Sequence, residues 1–338
     1  MKIFSLTTTL LLVLNFLLYC NASLINFSSI KNFINKGIET ITSPIKSFLN
    51  EKEDENRDSK NYHNELDIER DIIFNKDRTL DIYYDKIDII TKSKLKPVNI
   101  FVFGGSWYSG SKVKFTKFGS LLEKNDYVAV LPNYVLFPQG GFEDMVDDIY
   151  NAIQWTHKNI KKYGGDPNRI SISAYSAGAH LTALAIFKSL LGYPNKNKIL
   201  KPLPMLEKVV LLNGPYDFDD YYEINNYFGK ESENSIVENL AKVVFRSKNV
   251  SPTDLLKPYA MKSLKSLGAK KFVFFYTSLD KQVKESSAQN LIKQMKRICP
   301  NVNINYVYKE GYEHTTLTRG IRAGSAEEEN VFINLVNL

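Results

Sequence analysis

The sequence predicts an α/β fold: one mostly parallel sheet with helices on both faces. Three observations carry that reading. Short β-prone apolar runs recur at residues 98–103, 127–132, 170–175, 209–212, 272–276 and 302–308. Stretches with helical spacing separate several of them, and strands alternating with helices build parallel sheets covered on both faces. Small residues, Gly104-Gly105 and Ser176-Ala177-Gly178, come directly after two of the runs. In such sheets chemistry sits beyond the carboxyl ends of the strands.

The elements follow in order. Residues 1–22 read as a secretory address. Lys2 supplies the positive charge, residues 3–19 are mostly apolar, and Cys20 and Ala22 are small residues spaced as at a cleavage site. An apolar stretch of about 17 residues is short for a bilayer span. A cleaved signal peptide is therefore the first reading and a signal anchor the second. Both imply the secretory pathway, either secreted or on an endoplasmic reticulum or Golgi membrane through the N-terminus. In residues 23–65, an amphipathic segment (Phe27, Ile30, Phe33, Ile34, Ile38, Ile41) ends near Pro44. Residues 51–60 then carry eight charges in ten positions, the pattern of a solvated tether. One domain is expected over 66–338.

Within it, Phe142, Val146, Ile149, Ile153 and Ile160 share a helix face, and Gly164-Gly165-Asp166-Pro167-Asn168 is a turn. Helices are expected from Ala177, over 284–296 and over 327–336. Tyr216, Phe218, Tyr221, Tyr222, Tyr227 and Phe228 suggest a small aromatic-rich cap insertion reaching about Leu255.

Composition excludes several functions. The chain has 338 residues, 43% hydrophobic and 24% charged, which is ample for a core. Its net charge of +7 is diffuse, so nucleic-acid binding gains no support. Two cysteines, Cys20 and Cys299, rule out a disulfide scaffold and a four-thiolate zinc site. His63, His157, His180 and His314 lack metal-ligand spacing. No metal or cofactor is expected.

The sharpest feature is Ser171-Ile172-Ser173-Ala174-Tyr175-Ser176-Ala177-Gly178-Ala179-His180. A β-run meets a serine among small residues and then a helix, as in the nucleophile elbow G-x-S-x-G. Small neighbours let the helix approach the sheet, and the serine hydroxyl lies at the positive helix end. Acyl transfer needs oxyanion donors. Gly104-Gly105, after an earlier strand, leave their N–H groups open, and Ala177 supplies a second donor. The base must come from a late loop, and His314 follows the run at 302–308. The orienting acid should follow a strand between them, as Asp280 does. Asp217, Asp219, Asp220 and Glu285 compete for that role. His180, one turn beyond Ser176, is read as packing or capping.

These residues resemble the α/β-hydrolase fold from about position 70 to the end. Within it they resemble the prenylcysteine methylesterase-like branch, beside carboxylesterase and kynurenine formamidase relatives. The likeness lies in Gly104-Gly105-Ser106-Trp107, Asn133-Tyr134, Phe137-Pro138-Gln139-Gly140, Glu143-Asp144-Met145-Val146-Asp147-Asp148, Ser176-Ala177-Gly178-Ala179-His180 and Gly311-Tyr312-Glu313-His314-Thr315. Leu80-Asp81-Ile82-Tyr83 and Ser251-Pro252 share it. Phe103 departs from the pattern, standing where many relatives carry histidine, and Ala174 replaces the first elbow glycine. The resemblance implies a carboxylic-ester hydrolase with Ser176 as nucleophile, His314 as base and Asp280 as its orienter. Gly104, Gly105, Ser106 and Ala177 would form the oxyanion hole. The implied substrate is a small-molecule or lipid-like ester, prenylcysteine methyl esters included. The alternatives are an aryl formamidase acting on a formyl amide, a lipase, or a hydrolase-fold binding protein without turnover.

Overall fold

The structure, a computed structural model, describes residues 51–91, 94–218 and 250–338. The signal, the amphipathic segment and the cap residues 219–249 lie outside them. Eight strands form one sheet: β1 (Ile68–Asn75), β2 (Arg78–Tyr83), β3 (Lys96–Val102), β4 (Val128–Pro132), β5 (Gly165–Tyr175), β8 (Lys208–Leu212), β9 (Phe272–Thr277) and β10 (Ile304–Lys309). Their order is β1-β2-β4-β3-β5-β8-β9-β10. β1 and β2 are an antiparallel hairpin that joins β4 antiparallel, and every pair from β4 onward is parallel. A short separate hairpin pairs β6 (Pro194–Asn195) with β7 (Lys198–Ile199). The six strands expected from apolar runs are all present, with ends shifted by at most five residues. The largest shift is at the expected turn 164–168. There Gly164 is left-handed (φ 78°) and Asp166 accepts the N–H of Asn168, but β5 already begins at Gly165.

Two groups of helices cover the sheet. Thr116–Lys124, Thr316–Ala323 and Ala326–Asn337 pack together, and Phe142–Asn159, Ala177–Leu191, Pro252–Leu256 and Glu285–Ile298 form the second group. Strand β3 shows how alternation separates the two faces. Phe101 stacks on Phe118 at 4.0 Å and meets Phe332 edge-on, on the first group's side. Val98, an odd number of residues away, faces Ile160 across the bare Gly165. Every residue of β9 is buried, as expected of a central parallel strand with both faces covered.

The tether expected at 51–60 is instead helical: residues 51–64 form a helix, and the compact unit starts at Asp58, not near 66. The physical reason is a buried ion pair. Arg322 lies inside the domain, and its guanidinium donates from both Nε (3.0 Å) and Nη2 to Asp58 Oδ2. Tyr62 is buried, and Arg70 lies 4.8 Å over its ring while donating to the carbonyls of Tyr62 and Glu65. Charge density thus marks a helix with one inward carboxylate.

Removing one partner of a buried pair leaves the other uncompensated. Asp58→Ala is expected to lower the unfolding free energy by about 3 kcal/mol, read by urea denaturation. An unchanged midpoint would restore the tether reading.

Candidate active site

The site is built on the parallel end of the sheet, where β3, β5, β8, β9 and β10 finish. Ser176 lies between the end of β5 and the helix Ala177–Leu191, at the position that caps the helix. Its backbone is left-handed (φ 49°, ψ −120°), a conformation that costs a non-glycine residue of order 1–3 kcal/mol. Two hydrogen bonds hold it. Its N–H donates to Leu212 O at 2.8 Å, and its carbonyl accepts the His180 N–H at 3.1 Å. Gly178 shows why the neighbours are small. A Cβ there would stand 2.3 Å from Phe103 O and 2.5 Å from Val102 O.

Asp280 follows β9 and His314 follows β10, so adjacent parallel strands deliver them side by side. Their loops are laced together. Ser278 N–H donates to Lys309 O (3.0 Å), Gly311 N–H to Ser278 Oγ (2.8 Å), and Leu279 N–H to Tyr312 O (3.0 Å). Tyr175, beside Ser176, donates its hydroxyl to His314 O at 3.1 Å. The result is one line of hydrogen bonds: Ser176 Oγ to His314 Nε2 at 2.9 Å, then His314 Nδ1 to Asp280 Oδ2 at 2.7 Å. The Asp280 carboxylate fixes the tautomer, with the proton on Nδ1 and the Nε2 lone pair toward the serine.

Burial alone would raise the Asp280 carboxyl pKa. Hydrogen bonds from His314 and from the N–H groups of Val283 and Gln282 outweigh it and hold the pKa below the usual value. Asn213 also donates to this carboxylate. Its amide bonds Asp280 Oδ2 at 2.7 Å and Thr277 Oγ1 at 2.8 Å from a left-handed position after β8. Sequence reasoning missed it. The available signal was a polar residue and a glycine, Asn213-Gly214, directly after a strand. Of the rival acids, Asp217 accepts from Asn290, Glu285 accepts from Tyr306 and Gln289, and Asp219 and Asp220 lie outside the described residues.

The loop after β3 approaches the serine closely. A Cβ on Gly104 would lie 2.7 Å from Tyr175 O and 2.8 Å from Ser176 Cβ. The Gly105 carbonyl accepts the N–H groups of Tyr108 (3.2 Å) and Ser109 (3.0 Å). In a planar trans peptide C=O and N–H point oppositely, so the Ser106 N–H faces away from that turn. Ala177 is the first helical residue, with no intrahelical acceptor for its N–H. Gly104, Ser176 and Ala177 are therefore together, and Gly105 and Ser106 continue the same loop. Among the described residues, no group of three or more His, Cys, Asp or Glu is arranged to hold a metal ion.

The other histidines lie elsewhere. His63 is exposed in the N-terminal helix, and His157 is exposed on Phe142–Asn159. His180 is fully buried, with Nδ1 accepting from Trp107 Nε1 (3.1 Å) and Nε2 donating to Val250 O (2.6 Å). Its burial lowers the pKa from 6.5 to about 4, and Lys188 adds to that. Below pH 6.5 the unfolded chain binds a proton that folded His180 refuses, so stability present above pH 6.5 is lost as pH falls to 4. Between pH 7 and 4 the wild type is expected to lose about 3 kcal/mol more than His180→Gln in urea titrations. Equal losses would show that His180 is not held neutral.

Comparison with known proteins agrees with this geometry. The probable isoprenylcysteine alpha-carbonyl methylesterase ICMEL2 of Arabidopsis thaliana is 28% identical over 227 residues, 67% of this chain and 53% of that protein. Esterase LipC of Mycobacterium tuberculosis is 33% identical over 147 residues, 42% of this chain and 34% of that protein. The chain thus spans about half or less of the length of these curated relatives. The crystal structure of Esterase B from Lactobacillus rhamnosis has a TM-score of 0.62 at 15% identity, covering 89% of this chain and 95% of that one, which shows the shared α/β-hydrolase fold. The profile of the BD-FAE family matches residues 80–295, well over half of the chain. The chain belongs to the BD-FAE family.

Proposed function

We propose that the protein is a serine-dependent carboxylic-ester hydrolase working through an acyl-enzyme. The observation that supports it best is the hydrogen-bonded line from Ser176 through His314 to Asp280, with the serine at the start of a 15-residue helix. Ser176 Oγ attacks the ester carbonyl carbon while its proton passes to His314 Nε2. Negative charge develops on the carbonyl oxygen. The N–H groups of Gly105, Ser106 and Ala177 receive it, each worth roughly 3 kcal/mol in such sites. The carbon–oxygen bond to the alcohol then breaks, and His314 returns the proton to the leaving oxygen. Water, deprotonated by the same nitrogen, attacks the acyl carbon; the bond to Ser176 Oγ breaks, His314 returns the proton to that oxygen, and the acid leaves. Asp280 stays ionised throughout and steadies the imidazolium.

The relatives' names point to isoprenylcysteine methyl esters as the substrate class, and we extend that class to this chain. The N-terminal pattern supports action in the secretory pathway or on its membranes. Among the described residues no helix is long and apolar enough to cross a membrane.

The test is hydrolysis of p-nitrophenyl acetate and butyrate, followed by S-farnesylcysteine methyl ester and N-formylkynurenine. Wild type is expected to turn over the esters. Ser176→Ala should lower kcat by about 10⁵-fold or more and Asp280→Asn by about 10⁴-fold. Asn213→Ala, which removes one donor to Asp280, should cost about tenfold. Equal activity in wild type and Ser176→Ala would sink the mechanism. Preference for N-formylkynurenine over every ester would make the enzyme a formamidase.

A further inference from the structure

The mechanism does not use His180, yet His180 touches two parts of the site. Its backbone N–H bonds Ser176 O, and its ring bonds the indole of Trp107. Trp107 belongs to the loop that carries the N–H groups of Gly105 and Ser106. That loop is strained: Ser106 (φ 51°) and Trp107 (φ 65°) are consecutive non-glycine residues in the left-handed region. Such a conformation persists only when its surroundings impose it. The carbonyl of Trp107 accepts the Phe137 N–H at 2.9 Å, and its buried indole meets the rings of Phe142 and His180 edge-on.

Hydrogen-bond chemistry fixes the direction of the link. An indole N–H can only donate, so His180 Nδ1 carries the lone pair. Nε2 then carries the proton and donates it to Val250 O, which anchors the ring from its far side. We infer that His180 is a positioning residue: through Trp107 it aims the N–H groups of residues 105 and 106 at the oxyanion formed on Ser176. The inference rests on the ester-hydrolase reading. It has a kinetic signature, because oxyanion donors act on charge that appears only in the transition state.

Three variants test it: His180→Leu, His180→Gln and Trp107→Phe. The glutamine amide can accept from Trp107 and donate to Val250 as the imidazole does. With active sites counted by a phosphonate probe, His180→Leu and Trp107→Phe are each expected to lower kcat about 100-fold, with KM within about threefold. The Leu–Phe double variant should be no slower than either single one, and His180→Gln should recover to within about tenfold of wild type. In NMR spectra only the Trp107 of the two tryptophan indole N–H signals should move in the histidine variants. Wild-type kcat in folded His180→Leu, or a His180→Gln as slow as the leucine variant, would overturn the inference. If His180→Leu does not fold, unchanged kcat in Trp107→Phe overturns it alone. If wild type hydrolyses no ester, the ester reading falls. The positioning claim is then decided by the rate of phosphonate attack on Ser176, which uses the same N–H groups.

Discussion

Two backbones meet at the ends of β3 and β5 with no room for a side chain between them, and the rest of the site depends on that approach. Gly104 faces Tyr175 O and Ser176 Cβ, and Gly178 faces the carbonyls of Val102 and Phe103. A single methyl at either position would push the helix or the loop outward by a large part of an ångström. The helix N-terminus would then leave the serine, and the loop would leave the reacting oxygen. Of the nine non-glycine residues with positive φ among those described, four (Ser106, Trp107, Ser176 and Asn213) lie at the ends of β3, β5 and β8. Backbone strain is concentrated where three neighbouring strands finish, as expected when a fold holds reactive groups in one fixed geometry.

Holding the loop after β3 takes contributions from far along the chain. Tyr134 donates its hydroxyl to Phe103 O at 3.0 Å, and Asn133 Oδ1 accepts the Lys112 N–H at 2.8 Å. Lys112 Nζ reaches Asp81, fully buried in β2, and Asp71. Asp148 accepts the Val135 N–H at 2.8 Å, just beyond Tyr134. The segments that carried the family resemblance thus share a physical task. Leu80–Tyr83, Asn133-Tyr134 and Asp147-Asp148 contribute no reacting atom, but each bonds this loop or the segment that supports it.

How far the sequence could be read follows from the range of each interaction. The parallel strands were legible because burial on both faces gives unbroken apolar runs, such as Phe272–Thr277. The elbow was legible because its steric demand falls on consecutive residues. His314 and Asp280 were legible through their position after strands. The β1–β2 hairpin was harder, since burial along β1 alternates and Ile73 remains exposed. The N-terminal helix was misread because the partner of Asp58 is Arg322, 264 residues away, and no local pattern announces it. Asn213 and the task of His180 were hidden for the same reason. Each depends on which distant atom its side chain meets, and a histidine on an apolar helix face looks like packing until its two nitrogens are traced.

Phe103 shows how a departure from a family pattern can leave the scaffold intact. The family pattern that the sequence resembles has a histidine there, a residue whose ring nitrogens need partners once buried. Here the position is 1% exposed, and the ring stacks on Phe115 at 5.8 Å and on Tyr134 at 4.5 Å. It also covers the bare face of Gly110, where a Cβ would lie 2.7 Å from the ring and from Gly104 O. The entrance and exit of the loop are therefore clamped by aromatic packing without a polar side chain at 103. The Tyr134 hydroxyl supplies the hydrogen bond that the Phe103 carbonyl needs. The polar anchors are left to Trp107 and Lys112, which act on the middle and far end of the loop. A histidine at 103 would have to find two partners within that aromatic stack. The phenylalanine needs none, so the departure removes a constraint at 103 while the strained peptides beside Ser176 keep their geometry.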